Sequence, residues 1–367
     1  LRNALIGVQY VASFGLIIGA TFMYLQNYYM QNTPLGYDKD EIIITNMNNN
    51  IRKSRDAFAS QVKSFSGIEE VTYAEMLLSS QDQYMGWGRK YRDKDIQFQC
   101  LPVEPSFLKV MNVKISEGRD FREEDKAKRY GTFVFNERAR TEYGLEIGSL
   151  IDSMEIVGFM PDVKFASFRT EVTPMAFFVW GTNNWGNQPN YAYIKVKAGS
   201  DLRGAMQHVK TTLQSFDPEY PFNVRFFDEV LNGLYEKERS LSSLITLFSL
   251  IAIFISVVGV FGLVVFDSEY RKKEIGIRKV LGSTTEEIIV MFNKTYIRIL
   301  CVCFVLGAPI AGYVVHRWLE NFAYKTPMYW WVYLIAFAII AVITILTVTF
   351  QNWRAANENP VHSIKNE

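Results

Sequence analysis

The sequence has 367 residues, 49% of them hydrophobic, with 39 Lys or Arg against 38 Asp or Glu and a net charge of +1. So balanced a charge argues against a nucleic-acid surface. Three cysteines, Cys100, Cys301 and Cys303, fit neither a disulfide framework nor a metal-ligand spacing and read as packing residues.

The mean hydropathy of +0.01 conceals an uneven distribution. Residues 4–25, 241–266, 293–316 and 329–350 are apolar runs, each long enough to cross a hydrocarbon core of about 30 Å, which takes roughly 20 helical residues. Three of the four lack Asp, Glu, Lys and Arg, so nothing in them marks an ion path or proton relay; the third holds Lys294 and Arg298 near its start.

In chain order, residues 1–29 read as a transmembrane helix rather than a cleaved leader, since no long basic region precedes the apolar run and no small-x-small site follows it. The chain starts at Leu1 rather than Met, which fits a fragment or a processed product. Within this helix "GLIIG" is a G-x-x-x-G whose Gly15 and Gly19 permit close helix approach in lipid, against the plainer reading that Gly is common in such helices.

Residues 30–240 have the mixed charge and alternation of an aqueous domain. "DEIIITNM" (40–47) predicts a strand, "RKSRDAFASQVKSF" (52–65) an amphipathic helix and "IEEVTYAEM" (68–76) a second strand. "YAYIKVKAG" (191–199), "DLRGAMQHVKTTLQSF" (201–216) and "FNVRFFD" (222–228) repeat that order, so a split βαβ-containing α+β part with an insertion is expected. The insert carries short strands such as "IQFQCLPV", "GTFVFN" and "MEIVGFM" and reads as mostly β. "DEVLNGLYEKERS" (228–240) predicts a helix running straight into the second span as a rigid stalk.

The loop 267–292 carries Arg271, Lys272, Lys273, Arg278 and Lys279, whereas 317–328 carries only Arg317 and Lys325. That bias puts 267–292 and both termini in the cytoplasm and 30–240 outside, with Tyr28, Tyr29, Trp330 and Trp331 in the outer aromatic belt. Pro309 is expected to kink the third span.

"RKKEIGIRKVLGSTTEEI" (271–288) is a charged segment between apolar runs. Arg271, Glu274 and Arg278 share one helical face, with Glu274 four residues before Arg278 in the favourable order; Ile277, Val280 and Leu281 form the opposite face. Gly282 is placed to end the helix in a left-handed cap. Ser283 or Thr284 then starts the next helix, with Glu286 or Glu287 completing a capping box. Gly276 costs about 1 kcal/mol mid-helix, which points to close approach of another backbone. On residue physics alone, a solvated loop obeying the cationic bias is the stronger reading. The three histidines are dispersed and no G-x-x-x-x-G-K-[ST] occurs, so neither a catalytic cluster nor a phosphate loop is visible. A sensor is disfavoured by the third and fourth spans.

The residues of that segment change the balance. They closely resemble the R-x-x-E-I-G-I-R-[KR]-x-L-G-[AS] signature of the FtsX/MacB-like ABC transporter permeases, with Val280 where Ala is frequent. The tail "NENPVHSIKNE" (357–367) resembles the N-P-[VI]-x-S-[LI]-[KR] ending of the same family, and residues 9–44 resemble the start of a second module in its double-module members. The resemblance spans the whole chain.

It implies an α+β membrane protein of the type VII, mechanotransmission kind in the bacterial inner membrane, with an extracytoplasmic MacB-like domain over 30–240. That domain would hold a porter-like part (38–79 and 188–228), a sabre-like insert (80–187) and the stalk helix (228–240). An FtsX-like permease domain (241–367) would follow, with coupling loop 267–292 and cytoplasmic tail 351–367. Arg271, Glu274, Gly276, Ile277, Arg278 and Gly282 would then be coupling-helix positions docking on a separate ABC ATPase that binds ATP and Mg. The chain itself would be non-catalytic, with no cofactor or metal. The implied partners are that ATPase, a second permease module (upstream in the same chain, or in a homodimer or heterodimer), a periplasmic adaptor or lipoprotein, and membrane lipid, but no nucleic acid. The implied function is efflux or export; the alternative is an FtsX-like or lipoprotein-release complex that activates or extracts a periplasmic partner. No residue marks the cargo.

Overall fold

A computed structural model describes residues 2–79, 84–183, 188–270, 277–278 and 282–356. The chain divides into two compact units: Thr33–Glu236, and Leu1–Asn32 with Lys237–Glu367. Helix α1 (Arg2–Asn32) opens the second of these.

Within Thr33–Glu236, β1 (Ile42–Asn46) and β2 (Ile68–Ala74) are joined by α2 (Asn49–Lys53) and α3 (Arg55–Lys63). The single helix expected over 52–65 is two helices. Asn48 starts the first by accepting the Ile51 N–H at 3.0 Å, and Ser54, at φ −115°, interrupts the helical backbone between them. A second strand–helix–strand unit comes from β10 (Tyr191–Val196), α6 (Leu202–Phe216) and β11 (Arg225–Phe226). The two units interleave in one antiparallel sheet of order β11-β1-β10-β2, so β1 and β2 lie parallel with β10 between them. Phe58 and Val62 of α3 and Ala205, Val209 and Leu213 of α6 bury their apolar faces against Ile43, Val71 and Ile194.

The intervening chain forms a second, mixed sheet. Its strands are β3 (Met85–Tyr91), β4 (Lys94–Pro102), β5 (Glu117–Gly118), β6 (Thr132–Asn136), β7 (Leu150–Ile151), β8 (Met154–Met160) and β9 (Met175–Val179). They run in the order β3-β4-β9-β6-β8-β5, with β7 on β8. Short helix α5 (Glu137–Tyr143) packs on β6 and β8, whereas α4 (Phe107–Val110) packs on β2 of the first sheet, with the Phe107 ring also 5.6 Å from Phe177 of β9. An aromatic core of Trp87, Phe98, Phe133, Phe135 and Phe178 holds this sheet; the Phe98 and Phe135 rings meet edge to face at 4.9 Å. Ala74, at the end of β2, bridges to Val103, just past β4, so backbone hydrogen bonding passes from one sheet to the other.

Two expectations near the end of this unit need correction. The strand predicted over 222–228 shrinks to Arg225–Phe226, because α7 (Phe227–Leu234) starts there, with Asp228 and Glu229 in the first turn where a helix favours acidic groups. The stalk is also not one helix into the second span. Tyr235 leaves the helical backbone (φ −116°, ψ 15°) before α8 (Glu236–Tyr270), and its hydroxyl accepts the Phe168 N–H at 2.9 Å. That tertiary bond outweighs the local preference for an unbroken helix.

The other unit comprises α1, α8, α9 (Thr285–Leu319) and α10 (Trp330–Ala356), each long and apolar enough to cross a membrane. Tyr10, Phe14, Ile18 and Phe22 of α1 interlock with Phe292, Tyr296 and Leu300 of α9 and with Val332, Ala336 and Ile340 of α10. Polar pairs tie these helices. Tyr10 Oη lies 3.0 Å from Thr344 Oγ1, and Asn293 Nδ2 donates to Thr349 Oγ1 at 2.9 Å. The Gln26 carboxamide donates to the Tyr324 carbonyl at 3.0 Å and accepts the Thr326 N–H at 2.8 Å, clasping the loop between α9 and α10. Most of the described α8 side chains are exposed, and it meets α1 through Ser249 Oγ, which donates to the Leu16 carbonyl at 3.0 Å. Helix α9 begins at Thr285, earlier than the expected span start at 293. Its 35 residues rise about 52 Å at 1.5 Å each, well beyond a core of about 30 Å, so the exposed Lys294 and Arg298 precede the uninterrupted apolar stretch.

Candidate functional site

The charged segment follows α8. Arg271, Glu274 and Gly276 lie outside the described residues, as does the tail from 357 onward. Ile277 and Arg278 are helical; Ile277 is 56% exposed, and Arg278 directs a guanidinium N–H onto the Met291 sulfur of α9. The Ser283 N–H donates to the Arg278 carbonyl at 2.9 Å, a six-residue closure with Gly282 at φ +95° inside it. This is the 6→1 bond of the Schellman pattern, and only a residue without Cβ adopts that φ at no steric cost. Among the described residues no heavy atom comes within 4 Å of a Cβ built on Gly282, so what it contributes there is its backbone conformation.

The next helix starts at once. Thr284 is its N-cap: Thr284 Oγ1 accepts the Glu287 N–H at 3.3 Å, and the Glu287 carboxylate accepts the Thr284 N–H at 3.1 Å. Of the alternatives left open by the sequence, the capping box therefore uses Thr284 and Glu287. Two caps set back to back turn the chain within three residues.

Gly15 and Gly19 sit differently. A Cβ on either meets nothing within 4 Å, so neither serves a helix contact within this chain among the described residues. Contact with α1 falls elsewhere: a Cβ at Gly307 would lie at ordinary van der Waals distance, 3.4 Å from Val11 Cα and 3.6 Å from Phe14 Cβ, and one at Gly259 of α8 would crowd the Gln9 carboxamide.

Sequence reading missed an aromatic cluster in the Thr33–Glu236 unit. Tyr37, five residues past α1, stacks on Phe165 (4.9 Å, 13°) and meets the first residue of α7, Phe227, at 5.8 Å. Phe227 also meets Tyr193 of β10 at 6.1 Å. The hydroxyls are satisfied internally. Tyr37 Oη lies 2.9 Å from Ser79 Oγ; Tyr84 Oη accepts the Ser79 N–H and donates to the Phe165 carbonyl at 2.8 Å; Tyr193 Oη accepts the Leu78 N–H at 2.8 Å and donates to the Met76 carbonyl at 3.1 Å. Burial pushes the Tyr37 and Tyr193 phenols well above their ordinary range, so both stay protonated. The cluster thus joins five stretches: the chain leaving α1, the crossing from β2 to β3, the loop between β8 and β9, strand β10, and the helix leading to α8. The only sequence signal was the aromatic spacing around "PLGYD", "KFASF" and "RFFDE", which is indistinguishable from ordinary core.

Among the described residues, no group of three His, Cys, Asp or Glu is arranged to hold a metal. His208 is a surface group whose Nε2 lies 3.0 Å from the Gln61 carbonyl and whose ring stacks on Phe65. Cys100 is buried in the second sheet, which pushes its thiol up and keeps it unreactive.

Residues 6–212 match the family described as MacB-like periplasmic core domain, and residues 246–360 match FtsX-like permease C-terminal. The macrolide export ATP-binding/permease protein MacB of Chromobacterium violaceum is 23% identical over 230 residues, which is 60% of this chain and 35% of that protein. The MacB of Escherichia coli K12 is 23% identical over 233 residues with the same coverage. The chain thus spans about a third of the length of the curated relatives it matches. The periplasmic region of MacB from Actinobacillus actinomycetemcomitans superposes with a TM-score of 0.39 at 14% identity, over 54% of this chain and 94% of that one. The extracellular domain of the noncanonic ABC-type transporter YknZ from Gram-positive bacteria gives 0.36 at 11%, over 50% and 99%. The periplasmic match alone takes in more than half of the chain, and the permease match takes in the last three spans: the chain belongs to the FtsX/MacB-like ABC transporter permeases, multi-pass proteins of the bacterial inner membrane with a MacB-like periplasmic domain after the first span.

Proposed function

We propose that this chain is the non-catalytic permease subunit of an ABC transporter, and that a separate cytoplasmic ATPase docks on residues 271–288 to move the periplasmic domain for efflux or export. The observation that carries this reading is the double cap at Gly282–Thr284. A merely solvated loop has no need of a Schellman closure and a capping box in sequence; a docking element does, because its carbonyl and amide ends must be satisfied while its side chains face a partner. ATP and Mg belong to the partner, since these 367 residues contain no G-x-x-x-x-G-K-[ST]. The macrolide export named for the MacB relatives supports efflux over extraction of a lipoprotein.

A second permease module is the further partner of this reading, and the open face of α1 at Gly15 and Gly19 is a fitting surface for its helix. The separation of the two sheets supports a porter-like part over 38–79 and 188–228 with a sabre-like insert over 80–187.

The test is Glu274→Lys and Gly276→Leu in the full chain. The first opposes Arg271 and Arg278, where interface charges set register. The second is steric, although it restores most of the ~1 kcal/mol of helix propensity that Gly costs. Both should keep normal membrane abundance but lose the co-purifying ATPase and export, with Lys197→Glu on the periplasmic surface as the control. Retention of the ATPase and full export by both variants would overturn the reading.

A further inference from the structure

A cleft of about 420 Å³ opens at the junction of the two sheets of the periplasmic domain, a volume within the usual range of ligand pockets. Its lining includes Arg52, Lys53 and Arg55 from the helical layer of the first sheet, and Glu104, Lys126 and Trp180 from the insert. Its floor is fixed by backbone bonds: the Ala74–Val103 bridge, Glu75 N–H to the Pro102 carbonyl at 3.2 Å, and Glu104 N–H to the Tyr73 carbonyl at 3.0 Å. The site is therefore formed before any ligand arrives.

Its charges are unequal. Four basic side chains and two carboxylates line it. Glu104 is claimed from both sides, by Arg55 Nη1 at 2.6 Å and by Lys126 Nζ at 2.9 Å. Among the described residues Arg52 is held by neutral oxygens: Nε donates to the Pro189 carbonyl at 3.1 Å, Nη1 to Asn49 Oδ1 at 3.0 Å and Nη2 to Asn190 Oδ1. Its fork is oriented but not neutralised. Lys53, one residue on, is exposed and adds a second cation that no carboxylate among the described residues pairs. A guanidinium fixed in place beside a free ammonium suits an oxyanion, because charge-assisted bonds from a pre-oriented fork are both stronger and more directional than those from a mobile cation.

We propose that this cleft binds a small anion bearing carboxylate or phosphate groups, with Arg52 as the oriented fork, Lys53 as the second cation and the Trp180 side as the apolar wall. Binding there bridges the first sheet and the insert. The experiment is calorimetric titration of the full detergent-solubilised chain with citrate and with pyrophosphate, at constant ionic strength set by chloride. Saturable binding of either at millimolar or tighter affinity is expected, and which of the two binds tells carboxylate from phosphate recognition. Arg52→Gln should weaken it at least tenfold and Lys53→Gln about threefold, while Lys210→Gln, on exposed α6 surface, should leave it unchanged. Lys53→Gln removes no side-chain bond among the described residues, so it decides the matter even where Arg52→Gln fails to fold. The proposal is overturned if neither anion binds above the chloride control, or if Lys53→Gln leaves the affinity unchanged.

Discussion

Tyr37 and Phe227 are 190 residues apart in sequence, yet their rings meet at 5.8 Å, one just after the first span and the other at the start of the helix that leads to the second. If that contact couples the two membrane connections, a double-mutant cycle on Tyr37→Ala and Phe227→Ala should show it. Phe227 is fully buried and Tyr37 nearly so, and truncating a buried aromatic ring costs roughly 3–5 kcal/mol. Tyr37→Ala also forfeits the stack on Phe165 at 4.9 Å and the 2.9 Å contact with Ser79, whereas Tyr37→Phe loses only the latter, about 1–3 kcal/mol. The direct ring pair is worth about 0.5–1.5 kcal/mol beyond burial, and neighbours sharing a cavity commonly couple by 0.5–3 kcal/mol. The double variant should therefore be less damaging than the sum of the singles by about 1 kcal/mol or more. The measurement is denaturant unfolding of the periplasmic domain within the solubilised chain, followed by near-ultraviolet circular dichroism. Additivity within about 0.3 kcal/mol would show that the two connections are energetically independent, and the linkage argument would fall.

The Asp125 side chain is only 1% exposed, and Arg119 donates to both its oxygens at 2.8 Å while the Arg122 N–H adds a third bond at 2.8 Å. Burial opposes its charge, but these donors win and hold the carboxyl below its ordinary range. Its stabilisation is therefore complete above the unfolded value of about 3.9 and fades as pH falls through the lower folded pKa; Asp125→Asn should cost about 3–5 kcal/mol at neutral pH and flatten the acid loss, and identical acid slopes in variant and wild type would refute this. Gly307→Leu should lower the melting temperature of the dispersed chain through overpacking against Val11 and Phe14, at a cost of about 1–3 kcal/mol, while Gly15→Leu, with open space around it among the described residues, should not; equal shifts would overturn the assignment of a helix contact to Gly307 and of an open face to Gly15.

The contrast between Gly15 and Gly307 shows where sequence reading stops. A G-x-x-x-G pattern marks a surface on which helices could approach, but the identity of the neighbour depends on how α1 and α9 interdigitate, which no local spacing encodes. Long apolar runs and strand alternation were legible because each is a one-dimensional pattern, and the two strand–helix–strand units came through for that reason. Their interleaving as β11-β1-β10-β2 was not, since pairing β1 with β10 joins residues about 150 apart. The breaks at Ser54 and Tyr235 were missed because tertiary hydrogen bonds and capping decided them against local propensity. The charged segment was legible only as a motif, its physics alone favouring a solvated loop; of its expected turn, the left-handed Gly282 and the Thr284–Glu287 capping box are what the described residues contain. The aromatic cluster is the opposite case: no motif announced it, yet every hydroxyl in it has a partner. Such satisfaction makes the junction stiff, because moving any one ring unsatisfies a buried donor or acceptor elsewhere. Displacement of the chain near Tyr37 is then resisted together with displacement near Phe227.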